Sequence, residues 1–252
     1  MIPAHRRAAF LGVRLDLLDL GDTVAAIEAG LDEGRAMAHL GVNAANLILA
    51  RDQHSYRDDL LAADLVTADG QSVVWGARAF GIKVPERVTG IDLMEALLIR
   101  ARERGWSTYL LGARPDVVGA LARRLERDGL RVAGYRDGYF TDEAAAGVVS
   151  QVKRSGADLL FVGLPSPQKE RVIIHHARPA GIGLAMGVGG SFDVLAGRLK
   201  RAPALVQRLG LEWLYRLMQE PRRLFARYAI TNTRYLLLLV REASQRRRRS
   251  GR

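Results

Sequence analysis

The chain is predicted to fold as an α/β domain on a mainly parallel, Rossmann-like sheet with helices on both faces, followed by a helical, arginine-rich C-terminal appendage. Three observations predict this. Short apolar runs alternate with amphipathic stretches through the first two-thirds of the 252 residues, and alternation at that pitch builds parallel strands joined by crossover helices. Hydrophobic residues make up 48% of the chain and charges of both signs are mixed through its body, which describes a folded globule and not a disordered chain. The charge is also lopsided: from Arg198 onward 15 Lys and Arg face 3 Asp and Glu, a net of +12, while the whole chain carries +11 and residues 1–197 therefore about −1.

Taken in order, the apolar run 10–15 (FLGVRL) predicts a strand and 22–33 a helix; 36–42 (AMAHLGV) a strand and 44–53 a helix; 64–68 (DLVTA) a strand and 71–80 a helix. A helix over 91–104 precedes the strand 107–112 (STYLLG), and a helix over 115–128 precedes the strand 130–134 (LRVAG). Helix 141–154, strand 158–163 (DLLFVG), helix 168–178 and strand 182–188 (IGLAMGV) complete the body. Thr89 with Asp92 three residues on forms an N-terminal cap, as does Thr141 ahead of Asp142-Glu143. Gly105, Gly129 and Gly156 fall just past helix ends, where a positive φ is wanted. Residues 199–228 are predicted helical, with Leu205, Leu209, Leu211, Leu214, Leu217 and Met218 as an apolar stripe and Pro221 starting a new helix after Glu220. The remainder, 229–252, is predicted to be a short amphipathic piece ending in Gln245-Arg-Arg-Arg-Arg249.

Composition excludes several classes of chemistry. The absence of cysteine removes disulfides, cysteine zinc sites and thiol nucleophiles, and fits the cytoplasm. The N-terminus acquires charge too soon for a signal peptide. The longest apolar run near the end, Tyr235-Leu-Leu-Leu-Leu-Val240, is far short of the ~20 residues a spanning helix needs, so membrane contact would be peripheral.

Ligands of open parallel sheets bind beyond the carboxyl ends of the strands. Four polar or glycine-rich turns are predicted there: Gly41-Val-Asn43, Asp69-Gly70, Gly163-Leu-Pro-Ser-Pro-Gln168 and Gly187-Val-Gly-Gly-Ser-Phe-Asp193. Asp69 in that position suits a general base for a sugar hydroxyl, although an Asp-Gly pair also makes a plain turn or cap. Gly189 and Gly190 could offer backbone N–H groups to a diphosphate, or merely form a tight turn. Arg216, Arg222, Arg223 and Arg227 share a face of the last helices, and the guanidinium fork suits phosphate. Trp213, Tyr215, Phe225 and Tyr228 lie among them, a pattern that also suits an anionic membrane interface. His175-His176 point about 100° apart on a helix and chelate poorly, and His39 sits in a predicted strand as a core or rim residue. No Asp-x-Asp spacing suggests a nucleotide-bound divalent ion.

Together the blocks Thr67-Ala-Asp-Gly70, Pro85-Glu-Arg-Val-Thr-Gly90 with Asp92, Leu110-Leu-Gly112, Gly138-Tyr-Phe140, Gly187 through Asp193 to Ala196-Gly197, Arg201-Ala-Pro203, Leu211-Glu-Trp-Leu-Tyr-Arg216 and Glu220-Pro-Arg-Arg223 resemble the WecG/TagA/CpsF family of bacterial glycosyltransferases from about residue 10 to 230. The resemblance implies an inverting transfer from a UDP-sugar donor to a polyprenyl-diphosphate-linked acceptor at the inner face of the plasma membrane, in cell-surface polysaccharide synthesis. It implies no cofactor and no metal ion, and leaves homo-oligomerisation open. The family's base falls on Asp69, its Asn-bearing turn on Asn43, and its C-terminal arginines within Arg216–Arg227. Gly70, Arg87, Thr89, Asp92, Gly189, Gly190 and Asp193 stand in matching blocks as candidate substrate-binding residues, and Gln168 and Glu170 are further candidates in a block that departs from the family pattern. Residues 1–197 would be the catalytic domain, and 198–252 an appendage that completes the site and touches the membrane. Two departures stand out: Gly41 replaces a threonine common in the family, and Pro167-Gln-Lys-Glu170 replaces Pro-x-Gln-Glu.

Two other classes compete. A sequence pI near 10.6 and an arginine-rich tail suit a nucleic-acid binder, but the charge is confined to one end and no reader motif accompanies it, so no nucleic-acid partner is expected. A sugar-nucleotide epimerase on a similar sheet would need a dinucleotide fingerprint or a clear acid/base pair, and neither is visible.

Overall fold

The computed structural model describes residues 6–208 and 210–250, with the side chains of 204, 208, 223, 224, 226, 227 and 247–250 outside the described set. The sequence expectations placed on Leu209, on the guanidinium groups of Arg223 and Arg227, and on the arginine run beyond Arg246 therefore lie outside the described residues.

In chain order the elements are β1 (Arg7–Phe10), β2 (Val13–Asp16), α1 (Leu20–Asp32), β3 (Met37–Val42), α2 (Ala44–Asp52), α3 (His54–Ala62), β4 (Leu65–Ala68), α4 (Gln71–Ala79), α5 (Gly90–Arg104), β5 (Ser107–Gly112), α6 (Pro115–Arg127), β6 (Arg131–Arg136), α7 (Ala145–Arg154), β7 (Leu159–Gly163), α8 (Gln168–Arg171), β8 (Leu184–Gly187), α9 (Ser191–Leu195), α10 (Ala204–Arg208), α11 (Glu212–Gln219) and α12 (Pro221–Ser250). A π-helical segment, Val172–Ala177, continues α8.

The main sheet has six strands in the order β4-β3-β8-β7-β5-β6, every neighbouring pair parallel. Successive strand residues point to opposite faces, so each strand feeds two cores. On β3, β4, β5 and β7 the residues Ala38, Leu40, Val42, Val66, Leu111, Leu160 and Val162 enter one core with α2, α3, α4 and α7. Their alternates Met37, Leu65, Leu110, Leu159 and Phe161 enter a second core with α1, α5 and α6. Burial on both faces is why these strands read as continuous apolar runs.

Thr89 caps α5 by accepting from the Asp92 N–H, and Gly105 ends that helix at φ 70°. Thr141 stands ahead of a short 3₁₀ turn, Asp142–Ala144, without a side-chain cap bond.

Three local expectations are corrected. The predicted strand 10–15 is a hairpin, β1 antiparallel to β2, separate from the main sheet and turning at Leu11-Gly12, where both φ angles are positive. Its last residue, Asp16, is buried; one carboxylate oxygen accepts from Arg7 Nε at 2.8 Å and the other from the Val66 N–H of β4 at 2.7 Å. Helix α3 had no predicted counterpart. The C-terminal part is one continuous helix, α12, and not a short piece. Its Tyr235 and Leu238 join the first core, the Tyr235 hydroxyl donates to the Ser72 carbonyl at 3.1 Å, and the Arg246 guanidinium sits 4.8 Å from the Phe80 ring centre.

Candidate active site

Asp69 leaves the carboxyl end of β4 beside the carboxyl end of β3. Its backbone N–H and that of Gly70 both donate to the Val42 carbonyl, at 2.9 and 3.1 Å, which fixes the turn. Across it, Asn43 caps α2, its side-chain oxygen accepting from the Ala45 and Asn46 N–H groups. The two turns touch: a Cβ on Gly70 would lie 2.9 Å from Asn43 Cβ, and one on Gly41 would lie 3.1 Å from Asp69 Cβ. Gly41 therefore leaves room for the carboxyl group where a threonine side chain would press on it.

The carboxyl of Asp69 accepts from the Gly90 N–H at 3.2 Å, at the first residue of α5. A 15-residue helix presents positive potential at that end. Burial is the largest influence on Asp69 and raises its pKa; the Gly90 N–H and the charges of Arg216, Lys169 and Arg87 act in the opposite sense. An acid at the strand ends that feels the charges of three cations has two uses. It can take a proton, and its neighbours can receive a polyanion.

The chain matches the glycosyl transferase WecG/TagA/CpsF family over residues 8–249. It belongs to that family. Membership makes it a glycosyltransferase of cell-surface polysaccharide biosynthesis, with a sugar-nucleotide donor and a saccharide acceptor.

In this WecG/TagA/CpsF glycosyltransferase the appendage reaches the rim that holds Asp69. Arg216 of α11 approaches the turn after β8, its Nη1 3.9 Å from where a Gly190 Cβ would stand. Arg87, in the loop before α5, pairs with Glu212 of α11 at 3.2 Å, both side chains largely shielded. Asp92 is held by the Thr89 hydroxyl at 2.6 Å and by Arg201, which also meets Glu95 at 3.0 Å. Arg87, Thr89, Asp92 and Arg216 thus cluster about the start of α5, joined there by Glu212 and Arg201. Gly189 adopts φ 53° and Gly190 precedes α9, which has five residues and a correspondingly small dipole. The backbone carbonyl of Asp193 accepts from Arg198 and Leu199, closing the turn into the appendage. Arg222 is exposed at the start of α12.

The Pro167-Gln-Lys-Glu170 block divides its residues. Gln168 donates to the Phe140 carbonyl at 3.1 Å. Glu170 is fully buried, where its Oε1 receives Ser166 Oγ at 2.8 Å, Tyr56 OH at 3.0 Å and Lys169 Nζ at 3.1 Å. Lys169 faces the strand ends, and sequence reasoning missed it: a lysine between glutamine and glutamate looks like solvated surface until burial shows otherwise. Glu212 was missed for a related reason, since its partner Arg87 is distant in sequence. His39 is buried against Thr67 Oγ1 at 3.0 Å, and His175 pairs with Asp59 at 2.6 Å, so neither belongs to a histidine cluster. Among the described residues no group of three or more His, Asp or Glu is placed to hold a metal ion, and no helix is long and apolar enough to cross a membrane.

Two grooves, of about 570 and 300 Å³, lie at the opposite, amino-terminal edge of the sheet near Met37, Leu65 and Gly183, and neither contains a predicted site residue. In the larger one the arginines are matched by acids, Arg6 with Asp22, Arg7 and Arg14 with Asp16, and Arg178 with Asp64. The two grooves therefore lie away from the candidate site residues, which gather at the carboxyl edge.

Proposed function

We propose that this glycosyltransferase moves a sugar from a UDP-sugar to a polyprenyl-diphosphate-linked saccharide by one inverting displacement, with Asp69 as general base. The observation that carries this reading is the setting of Asp69: a desolvated carboxyl on the Gly90 N–H at the strand ends, within the electrostatic influence of Arg216, Lys169 and Arg87. The acceptor oxygen attacks the anomeric carbon and its proton passes to Asp69. The bond from that carbon to the diphosphate oxygen breaks, and UDP leaves with the pair of electrons. Arg216 and Arg87 offset the charge that grows on the diphosphate. The raised pKa makes Asp69 a stronger base than an exposed aspartate while leaving it ionised above its own titration. No metal is invoked in this reading, so turnover should survive chelators.

Asp69→Asn tests the base. It should preserve the fold and UDP binding while turnover falls about 10²- to 10⁴-fold; near-normal turnover would remove Asp69 from the mechanism. Anomeric configuration of the product, read by NMR, decides inversion. Peripheral contact with an anionic membrane is part of the same proposal. Leu236, Leu237 and Val240 stand exposed on α12, whose composition is strongly basic. Leu236→Glu with Leu237→Glu on the full chain should weaken co-sedimentation with anionic vesicles.

A further inference from the structure

We propose that Lys169 is a positioning residue of the transfer site, a fixed ammonium anchored by Glu170 at the strand ends that carry Asp69. The inference deepens the reading above and rests on Asp69 being the base.

The geometry is contiguous. The stem of Lys169 crosses the carboxyl end of β8 so closely that a Cβ on Gly187 would lie 2.8 Å from its Cδ and 3.0 Å from its Cε. The same strand end backs onto α5: a Cβ on Gly90 would lie 3.5 Å from the Val188 backbone and 3.6 Å from the Gly187 carbonyl. Gly90 in turn donates its N–H to Asp69 at 3.2 Å. Lysine stem, strand end, helix start and carboxyl group are therefore consecutive layers of one packed region.

A buried ammonium needs a counter-charge. Glu170 supplies it at 3.1 Å and is itself held by Ser166 and Tyr56, while Asn46 Nδ2 donates to the Tyr56 hydroxyl at 2.7 Å. That is a large buried polar assembly for a fold to maintain if its product is only a surface cation. The field of Lys169 is felt nearby: burial, and then Lys169, push the His39 pKa down to about 3. The groups facing Asp69 are the Gly90 N–H of α5, Arg87 from the loop before it, Arg216 of α11 and Lys169 of α8. Those facing Lys169 are Glu170, His39 and Asp69. Arg216 is delivered by α11, and Arg87 is engaged by Glu212 of α11. Lys169 is held by Glu170 of its own helix, which Ser166 and Tyr56 fix in turn, and among the described residues by none of the appendage, so its charge does not depend on where the appendage sits.

The test uses the full chain and three variants: Lys169→Met, Lys169→Arg, and Lys169→Met with Glu170→Gln. The double variant removes both charges and guards against a fold that fails because Glu170 is left unpaired. Two quantities are read, the Asp69 carboxyl titration by ¹³C NMR (assigned with Asp69→Asn) and the pH profile of kcat/KM with the sugar nucleotide. In the double variant the carboxyl titration should move to higher pH. kcat/KM should fall about three- to tenfold below the acid limb, and the deficit should close as pH rises. Lys169→Arg should keep the titration near the parent's. A carboxyl that titrates unchanged in the double variant overturns the proposal, as does an arginine variant displaced as far as the methionine one. A carboxyl that moves while the rate profile does not would uphold the coupling and remove Asp69 as the base, which separates the two failures.

Discussion

Replacing Gly70 by alanine adds one methyl group where two turns meet. The φ of −88° and ψ of 130° at Gly70 suit any residue, so backbone strain does not enter. The new Cβ would lie 2.9 Å from Asn43 Cβ and 3.0 Å from Asn43 Cα, neither of them the end of a flexible chain. Carbon atoms rest at about 3.5–4.0 Å, so the turns must part by about half an ångström or more. Overpacking of this kind costs about 1–3 kcal/mol, and the smaller entropy of the unfolded alanine chain returns about 0.4–1. The net loss is between about 0 and 2.6 kcal/mol, with a mid-range near 1.3, and that mid-range corresponds to a fall in Tm of about 3–5 °C at this size. Activity should suffer more, because the displaced residues are Asp69's neighbour and the cap facing it; misplacement by about 1 Å can cost 10²-fold. Gly147 provides the control. It lies inside α7 with no atom within 4 Å of an added Cβ, so alanine there should stabilise by about 0.5–1 kcal/mol and leave kcat/KM alone. Thermal melts and kcat/KM on both variants decide the matter. If Gly70→Ala melts above the parent, as Gly147→Ala should, the close approach of the two turns is wrong.

Two further outcomes follow from buried charges. His39 takes a proton near pH 6.5 when unfolded but only near 3 when folded, so the unfolded chain binds more protons between those values. Its contribution to stability is whole above about 6.5 and is lost as pH falls towards 3; His39→Gln should flatten the urea-derived stability profile there by up to about 1.4 kcal/mol per pH unit. Arg87→Gln, Glu212→Gln and the double variant should show a coupling of about 1–3 kcal/mol in kcat/KM for the donor, since their 3.2 Å pair holds α11 to the body; strictly additive effects would contradict that role.

Five strands of the main sheet were legible because burial on both faces leaves nearly unbroken apolar runs such as Leu159–Gly163 and Ser107–Gly112, while the partly exposed edge strand β6 was legible from its place after α6 in the strand–helix alternation. The hairpin was misjudged because Leu11, an apolar residue with φ 52°, hides the turn that Gly12 alone did not announce. α3 was missed because His54–Ala62 packs only Tyr56, Asp59 and Leu60 inward, too few apolar positions to produce a stripe. The placement of Asp69, Asn43 and the start of α5 together at the strand ends was legible from their position after strands or at caps. Lys169 and Glu212 were not, because their meaning comes from partners that only the folded chain brings near. The continuity of α12 also escaped notice: Tyr235 and Leu238 are core residues set among exposed leucines, and local pattern cannot tell which leucines turn inward.

Asp16 gives β4 a property of its own. β4 is the outermost strand on its side, and an outermost strand ordinarily offers bare amides on which a stray polypeptide can crystallise into a growing ribbon. Here the Val66 amide is already spent on a carboxylate that Arg7 steers from the hairpin. A newcomer would have to evict a buried anion before it could pair at Val66, so copies of this chain at high concentration are discouraged from fusing along that flank.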